Sequence, residues 1–215
     1  MFDYKKHLLA PLTGSAITLF ARLVTAVRGV WEGCEPVARQ RVYFANHGSN
    51  GDFVLVWTVL PPALRAQTRP VAGSDYWLNT PLKAFVGRDV FRAVLIDRNP
   101  ETRTLDPVGQ MAEALQQGDS LILFPEGTRN TGDDLLLPFK PGLFHLAQKC
   151  PDVDLVPTWI DNLTSVMPKG EVIPVPLLCS VTFGEPLRIR DGEEKLEFIT
   201  RAEDALRALG QEVQS

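Results

Sequence analysis

Residues 46–52 read Asn46-His47-Gly48-Ser49-Asn50-Gly51-Asp52, which puts an imidazole and a carboxylate in one short glycine-containing segment. Gly48 and Gly51 let the chain turn tightly enough for Asp52 to reach back to His47. A carboxylate on one ring nitrogen fixes the tautomer and leaves the other nitrogen to take a proton. Such a base can activate a substrate hydroxyl directly, with no serine or cysteine nucleophile. The blander alternative is that Asp52 caps a helix and His47 bonds a loop carbonyl.

A second segment with complementary chemistry lies far along the chain, Phe124-Pro125-Glu126-Gly127-Thr128-Arg129. Pro125 stops the preceding strand, and Gly127 lets the backbone turn sharply or approach a ligand closely. A carboxylate, a hydroxyl and a guanidinium are then offered together. Arg129 suits a phosphate, which it can grip through two parallel hydrogen bonds. The alternative is a solvated Glu126–Arg129 pair on an ordinary turn.

The elements that must position these groups are legible as short runs. An apolar run over 42–45 precedes the first segment and a helix-like run over 53–60 follows it, which reads as strand, loop, helix. Residues 120–124 form the strand that leads into the second segment. Further strands are expected over 68–72, 93–97, 154–160 and 177–183. Helices are expected over 81–86 behind Thr80, over 107–117 behind Asp106 and ending at Gly118, over 141–149 and over 193–209. This alternation predicts a single-domain mixed α/β sheet flanked by helices on both sides. The proline-rich stretch 166–176 reads as an excursion over the sheet. Both chemical segments fall at strand ends, where α/β proteins usually build sites.

The N-terminal residues 1–33 read as a separate amphipathic helical segment, followed by one domain over 34–215. Ile17, Phe20, Val24, Val27 and Trp31 fall on one helix face, with Thr18, Arg22, Thr25 and Gly29 opposite and Lys5-Lys6 upstream. That pattern suits either a helix lying on anionic lipid or a first helix packed on its own domain. No segment reads as a transmembrane span, because Pro11, Thr13, Gly14, Ser15 and Thr18 interrupt the uncharged stretch 8–21.

Together the motifs resemble the glycerolipid acyltransferase family, of the 1-acylglycerol-3-phosphate acyltransferase type. The family's first motif, Asn-His and then Asp after four residues, matches Asn46-His47 and Asp52. Its Phe-Pro-Glu-Gly-Thr-Arg motif is present unchanged at 124–129. Leu95-Ile96-Asp97-Arg98 fits the second motif and Leu155-Val156-Pro157 the fourth. Two departures touch the acceptor side. Gly73 stands where the family often has a lysine, and Arg92-Ala93 stands where a glycine is usual.

The resemblance implies transfer of an acyl group from acyl-CoA or acyl carrier protein to the hydroxyl of a lysophospholipid, with 1-acylglycerol 3-phosphate the first acceptor to expect. It implies His47 as general base and Asp52 as its orienting partner. Arg129, helped by Arg98, would hold the acceptor phosphate, with Glu126, Gly127 and Thr128 shaping that pocket. It implies no cofactor beyond the thioester co-substrate, and no metal is expected because no second histidine or carboxylate cluster has metal-ligand spacing. The expected location is peripheral, on the cytoplasmic face of a membrane. A different lysolipid acceptor, or hydrolysis of the thioester by water, is the competing outcome.

Composition bounds this reading. At 215 residues, with 45% apolar and 22% charged residues, the chain suits one globular domain. A net charge of −4 gives no bulk attraction to nucleic acid. The three cysteines are widely spaced and form neither a zinc pattern nor a disulfide framework.

Overall fold

Short apolar strands alternate with helices along the chain, giving the mixed α/β sheet covered on both faces that the sequence predicts. The computed structural model describes residues 4–99, 101, 103–161 and 179–214. The strands are β1 (Arg28–Trp31), β2 (Arg41–Ala45), β3 (Thr68–Gly73), β4 (Val94–Ile96), β5 (Ser120–Leu123), β6 (Asp154–Asp161) and β7 (Ser180–Phe183). Among the described residues they form one seven-stranded sheet in the order β1-β7-β6-β2-β5-β3-β4. Neighbours run parallel throughout, except β6 and β7. The helices are α1 (Tyr4–Thr25), α2 (Asp52–Val59), α3 (Pro62–Ala66), α4 (Ser74–Trp77), α5 (Pro81–Phe85), α6 (Pro107–Gln116), α7 (Gly142–Lys149) and α8 (Lys195–Gln214). A π-helical turn, Val86–Val90, continues α5.

The central strand β2 is buried along its whole length, which is why it reads as an unbroken apolar run. Its alternation divides two cores. Val42 and Phe44 enter one with residues of α6, α7 and α8, and Tyr43 and Ala45 enter the other with residues of α2 and α3. The expected caps are in place. Thr80 accepts from the Lys83 amide ahead of Pro81, and Asp106 accepts from the amides of Val108 and Gly109 ahead of Pro107.

Because β2, β3, β4, β5 and β6 are parallel, their C-terminal ends meet along one edge of the sheet. His47 follows β2, residues 124–129 follow β5, Asp75 lies just past β3, and Arg98 lies just past β4. The sheet order therefore lines up four candidate groups from distant parts of the sequence.

The N-terminal segment departs from expectation. The helix ends at Thr25, Ala26 takes φ +43°, and β1 pairs with β7, so the segment 1–33 is not helical throughout. Val27 and Trp31 fit a helical spacing, but Trp31 instead stacks on Phe183 with ring centroids 4.0 Å apart. The apolar face of α1 is right in part, since Ile17 and Val24 pack against the core. Thr18 and Thr25 are buried while Phe20 is 66% exposed. The helix packs through small residues: a Cβ on Gly14 would sit 3.3 Å from the Trp57 ring. Thr18 and Thr25 donate to the carbonyls of Gly14 and Ala21 one turn earlier, which hides their hydroxyls. With those polar groups satisfied and Pro11 accommodated inside the helix, Leu8–Thr25 is long and apolar enough to cross a membrane, contrary to the sequence reading. The proline-rich stretch 166–176, and positions 177–178 of the last expected strand, lie outside the described residues.

Candidate active site

The loop between β2 and α2 is built around the Asp52 carboxylate. Asp52 is the first residue of α2 and is buried. Its Oδ2 accepts from the amides of Gly48 at 2.8 Å and Ser49 at 2.9 Å, and lies 2.8 Å from His47 Nδ1. A buried carboxylate needs such partners, and here they are the loop's own N–H groups and the imidazole. With Nδ1 donating to Asp52, Nε2 carries the lone pair, and it makes no hydrogen bond among the described residues. The imidazole lies flat on the Phe124 ring, centroids 4.3 Å apart and planes 20° apart.

The neighbouring residues clamp this loop to the sheet. Asn46 exchanges two hydrogen bonds with the backbone of Ile160 on β6, at 2.9 and 2.8 Å. The His47 amide donates to Glu126 at 2.7 Å, and the His47 carbonyl accepts from the Asn130 amide at 2.6 Å. Glu126 lines the cavity on the Asn46 side of His47 and also clamps two loops. It is 2% exposed, and its second oxygen accepts from the Leu137 amide at 2.9 Å. Burial pushes its carboxyl above the usual range, and those two amide bonds pull it back in part. Glu126 thus ties together the loops that follow β2 and β5. Gly127 turns the chain with φ +68°, and a Cβ there would come within 2.7 Å of the Lys140 side chain. Gly127 and Thr128 are exposed, and among the described residues neither lines a cavity at His47, where a pocket-shaping role was expected.

Two cavities meet at the imidazole. One, about 330 Å³, is lined by His47, Arg98, Arg129, Asp75 and the aromatic side chains Phe53, Tyr76, Trp77 and Phe124. The other, about 260 Å³, lies toward Asn46, Asn130, Asp133, Asp134 and Asp161. The first brings together the predicted base and both predicted phosphate ligands. Arg129 is exposed and has no side-chain partner among the described residues. Among the described residues Arg98 forms one ion pair, with Asp75 at 3.8 Å. The sequence reading missed Asp75, Tyr76 and Trp77 in this cavity; the short helix α4 that presents them carries no periodic signal.

None of the three cysteines lines either cavity at His47. Burial raises the thiol pKa of Cys34 and Cys150, and it pushes Cys179 up to about 11 with help from Asp161. Among the described residues no group of three or more His, Cys, Asp or Glu side chains could hold a metal ion.

This geometry joins a carboxylate-oriented base to a cationic pocket, and known proteins share its frame. A family model described as acyltransferase matches residues 31–161. The 1-acyl-sn-glycerol-3-phosphate acyltransferase of Escherichia coli K12 is 34% identical over 113 residues, which are 49% of this chain and 41% of that protein. The enzyme of the same name from Cocos nucifera is 29% identical over 167 residues, 76% of this chain and 51% of its own length. The chain thus spans about half the length of the curated relatives it matches. The crystal structure of the 1-acyl-sn-glycerophosphate acyltransferase from Thermotoga maritima superposes with a TM-score of 0.71 at 22% identity, covering 100% of this chain and 84% of that one. That likeness establishes the shared fold.

Proposed function

The chain belongs to the acyltransferase family, and we propose that it transfers a fatty acyl group from an acyl thioester to the free hydroxyl of 1-acylglycerol 3-phosphate, giving phosphatidate. The observation that carries this reading is a single cavity lined by His47, Arg98 and Arg129. A phosphate held by the two guanidinium groups brings its glycerol hydroxyl beside the imidazole. Such positioning contributes about 7–11 kcal/mol at best.

His47 Nε2 accepts the hydroxyl proton as the oxygen attacks the thioester carbonyl. The new C–O bond forms, the carbonyl oxygen takes the negative charge, and the C–S bond then breaks. His47 returns its proton to the departing thiolate, while Asp52 holds the imidazole and stabilises its charged form. The amides of His47, Gly48 and Ser49 are already committed to Glu126 and Asp52, so the oxyanion draws its donors from elsewhere. The donor is acyl-CoA or acyl carrier protein, and no other cofactor enters.

The lipid acceptor implies a membrane surface, and α1 supplies the means. Leu8, Leu12, Leu19, Phe20 and Leu23 are each at least 60% exposed. Gly14, Thr18, Ala21 and Thr25 of the same helix are buried against the domain. A helix held to the domain over that length favours lying in the interface over crossing alone, so the protein is peripheral, on the cytoplasmic face where its thioester donors are found.

The test is analysis of the lipids formed from lysophosphatidate and oleoyl-CoA. Phosphatidate supports the reading. Free oleate without phosphatidate would make the protein a thioesterase, and acylation of a different lysolipid alone would move the acceptor.

A further inference from the structure

Gly73 is a buried glycine at the end of β3, in an unstrained extended conformation with φ −70° and ψ 131°. No turn demands a glycine there. What it provides is room. A Cβ at residue 73 would lie 2.3 Å from Nε and 2.4 Å from an Nη of Arg98, and 2.3 Å from Oδ1 of Asp75. In the parallel register Gly73 pairs with Ile96, so Arg98 emerges beside it and folds back over bare backbone. The Arg98 guanidinium and the Asp75 carboxylate occupy the volume that any side chain at 73 would claim.

We infer that Gly73 is a positioning residue, whose missing side chain leaves room for the Arg98 guanidinium in the acceptor cavity. The inference rests on the proposed acceptor reading and deepens it. Arg98 and Asp75 are 54% and 72% exposed as side chains, so their 3.8 Å ion pair in water cannot hold the guanidinium in place by itself. The open space at Gly73 makes this position available to the guanidinium, and a Cβ would deny it. A side chain at 73 evicts the guanidinium into solvent. The β3 backbone conformation tolerates alanine, and the clashing atoms are ends of flexible side chains, so the fold has no reason to fail.

The experiment measures KM for lysophosphatidate and kcat in Gly73→Ala, Arg98→Ala and the double variant, with melting temperatures as a check on folding. The expected result is a KM raised about tenfold or more in each single variant, the size of one charge-assisted phosphate contact, with kcat changed far less. The double variant should match Arg98→Ala alone, because a guanidinium that is absent cannot be displaced. An impaired Arg98→Ala beside an unaltered Gly73→Ala would overturn this inference and leave the acceptor reading standing. Multiplying effects in the double variant would overturn it too, since they would mean that Gly73 acts independently of Arg98. An Arg98→Ala protein with unchanged KM would overturn the assignment of Arg98 to the phosphate, and the inference with it. Should Gly73→Ala melt early, Gly73→Ser in the same cycle reads the same coupling.

Discussion

The two sides of the acceptor cavity are held in opposite ways. On the His47 side the groups that hold the base are committed: Asn46 to Ile160, the His47 amide to Glu126, its carbonyl to Asn130, and its Nδ1 and ring face to Asp52 and Phe124. On the cationic side Arg129 has no side-chain partner among the described residues, and Arg98 has a single loose one. The base is fixed before substrate arrives, and the anion-binding groups are left with their hydrogen-bonding capacity unspent. That division suits a reaction in which the proton acceptor must be in register while the charged headgroup pulls its own ligands into place.

The largest effect should come from removing the base. His47→Ala should lower kcat by about 10³-fold or more in a thiol-release assay, with acceptor binding little altered. Asp52→Asn should cost about 10²-fold or more, because the side chain then both loses its charge on the imidazole and mishandles the amides of Gly48 and Ser49. Glu126→Gln keeps one acceptor oxygen where two amides need one each, so kcat should fall about tenfold, the worth of one buried charge-assisted bond. A near-normal Glu126→Gln enzyme would show that the His47 loop does not depend on this clamp. On the other side of the comparison, Arg129→Ala should raise KM for lysophosphatidate about 10–100-fold with kcat largely retained. A loss confined to kcat would put Arg129 on the rigid side instead.

The smallest effects concern pH, and two buried glutamates should differ in sign. Burial raises the Glu126 carboxyl, so its contribution to stability is full below the unfolded carboxylate range and is lost as pH rises through the folded value. The bond to Arg201 lowers the Glu193 carboxyl, so its contribution is present above the unfolded range and is lost as pH falls. Melting curves between about pH 3 and 7 should show Glu193→Gln destabilised most at the neutral end. Replacing Glu126 should remove an opposing slope.

The same contrast explains what the sequence could disclose. The rigid side was legible because its parts are local: His47 and Asp52 share one loop, and strands such as 120–124 announce themselves as apolar runs. The central strand's double burial was implied by its unbroken apolar stretch. Glu126 was legible as a pocket residue, but its clamp on the His47 and Leu137 amides was not, because a motif shows a carboxylate and not which amides it faces across the sheet. Asp75, Tyr76 and Trp77 were missed because α4 is too short to show a period, and Gly73 read only as a departure until Arg98 was seen lying over it. The helix face of α1 was legible only in part, with Ile17 and Val24 inward but Phe20 outward, for a related reason. Threonines that bond back to their own helix become suitable packing residues, and the leucines then turn outward.

The most direct test of the account is acceptor-dependent thiol release from oleoyl-CoA by the wild-type protein and by His47→Ala, in the presence and absence of lysophosphatidate. The account predicts release that requires both the acceptor and the imidazole. Release by wild type that is indifferent to lysophosphatidate, or a His47→Ala protein that turns over normally, would contradict it.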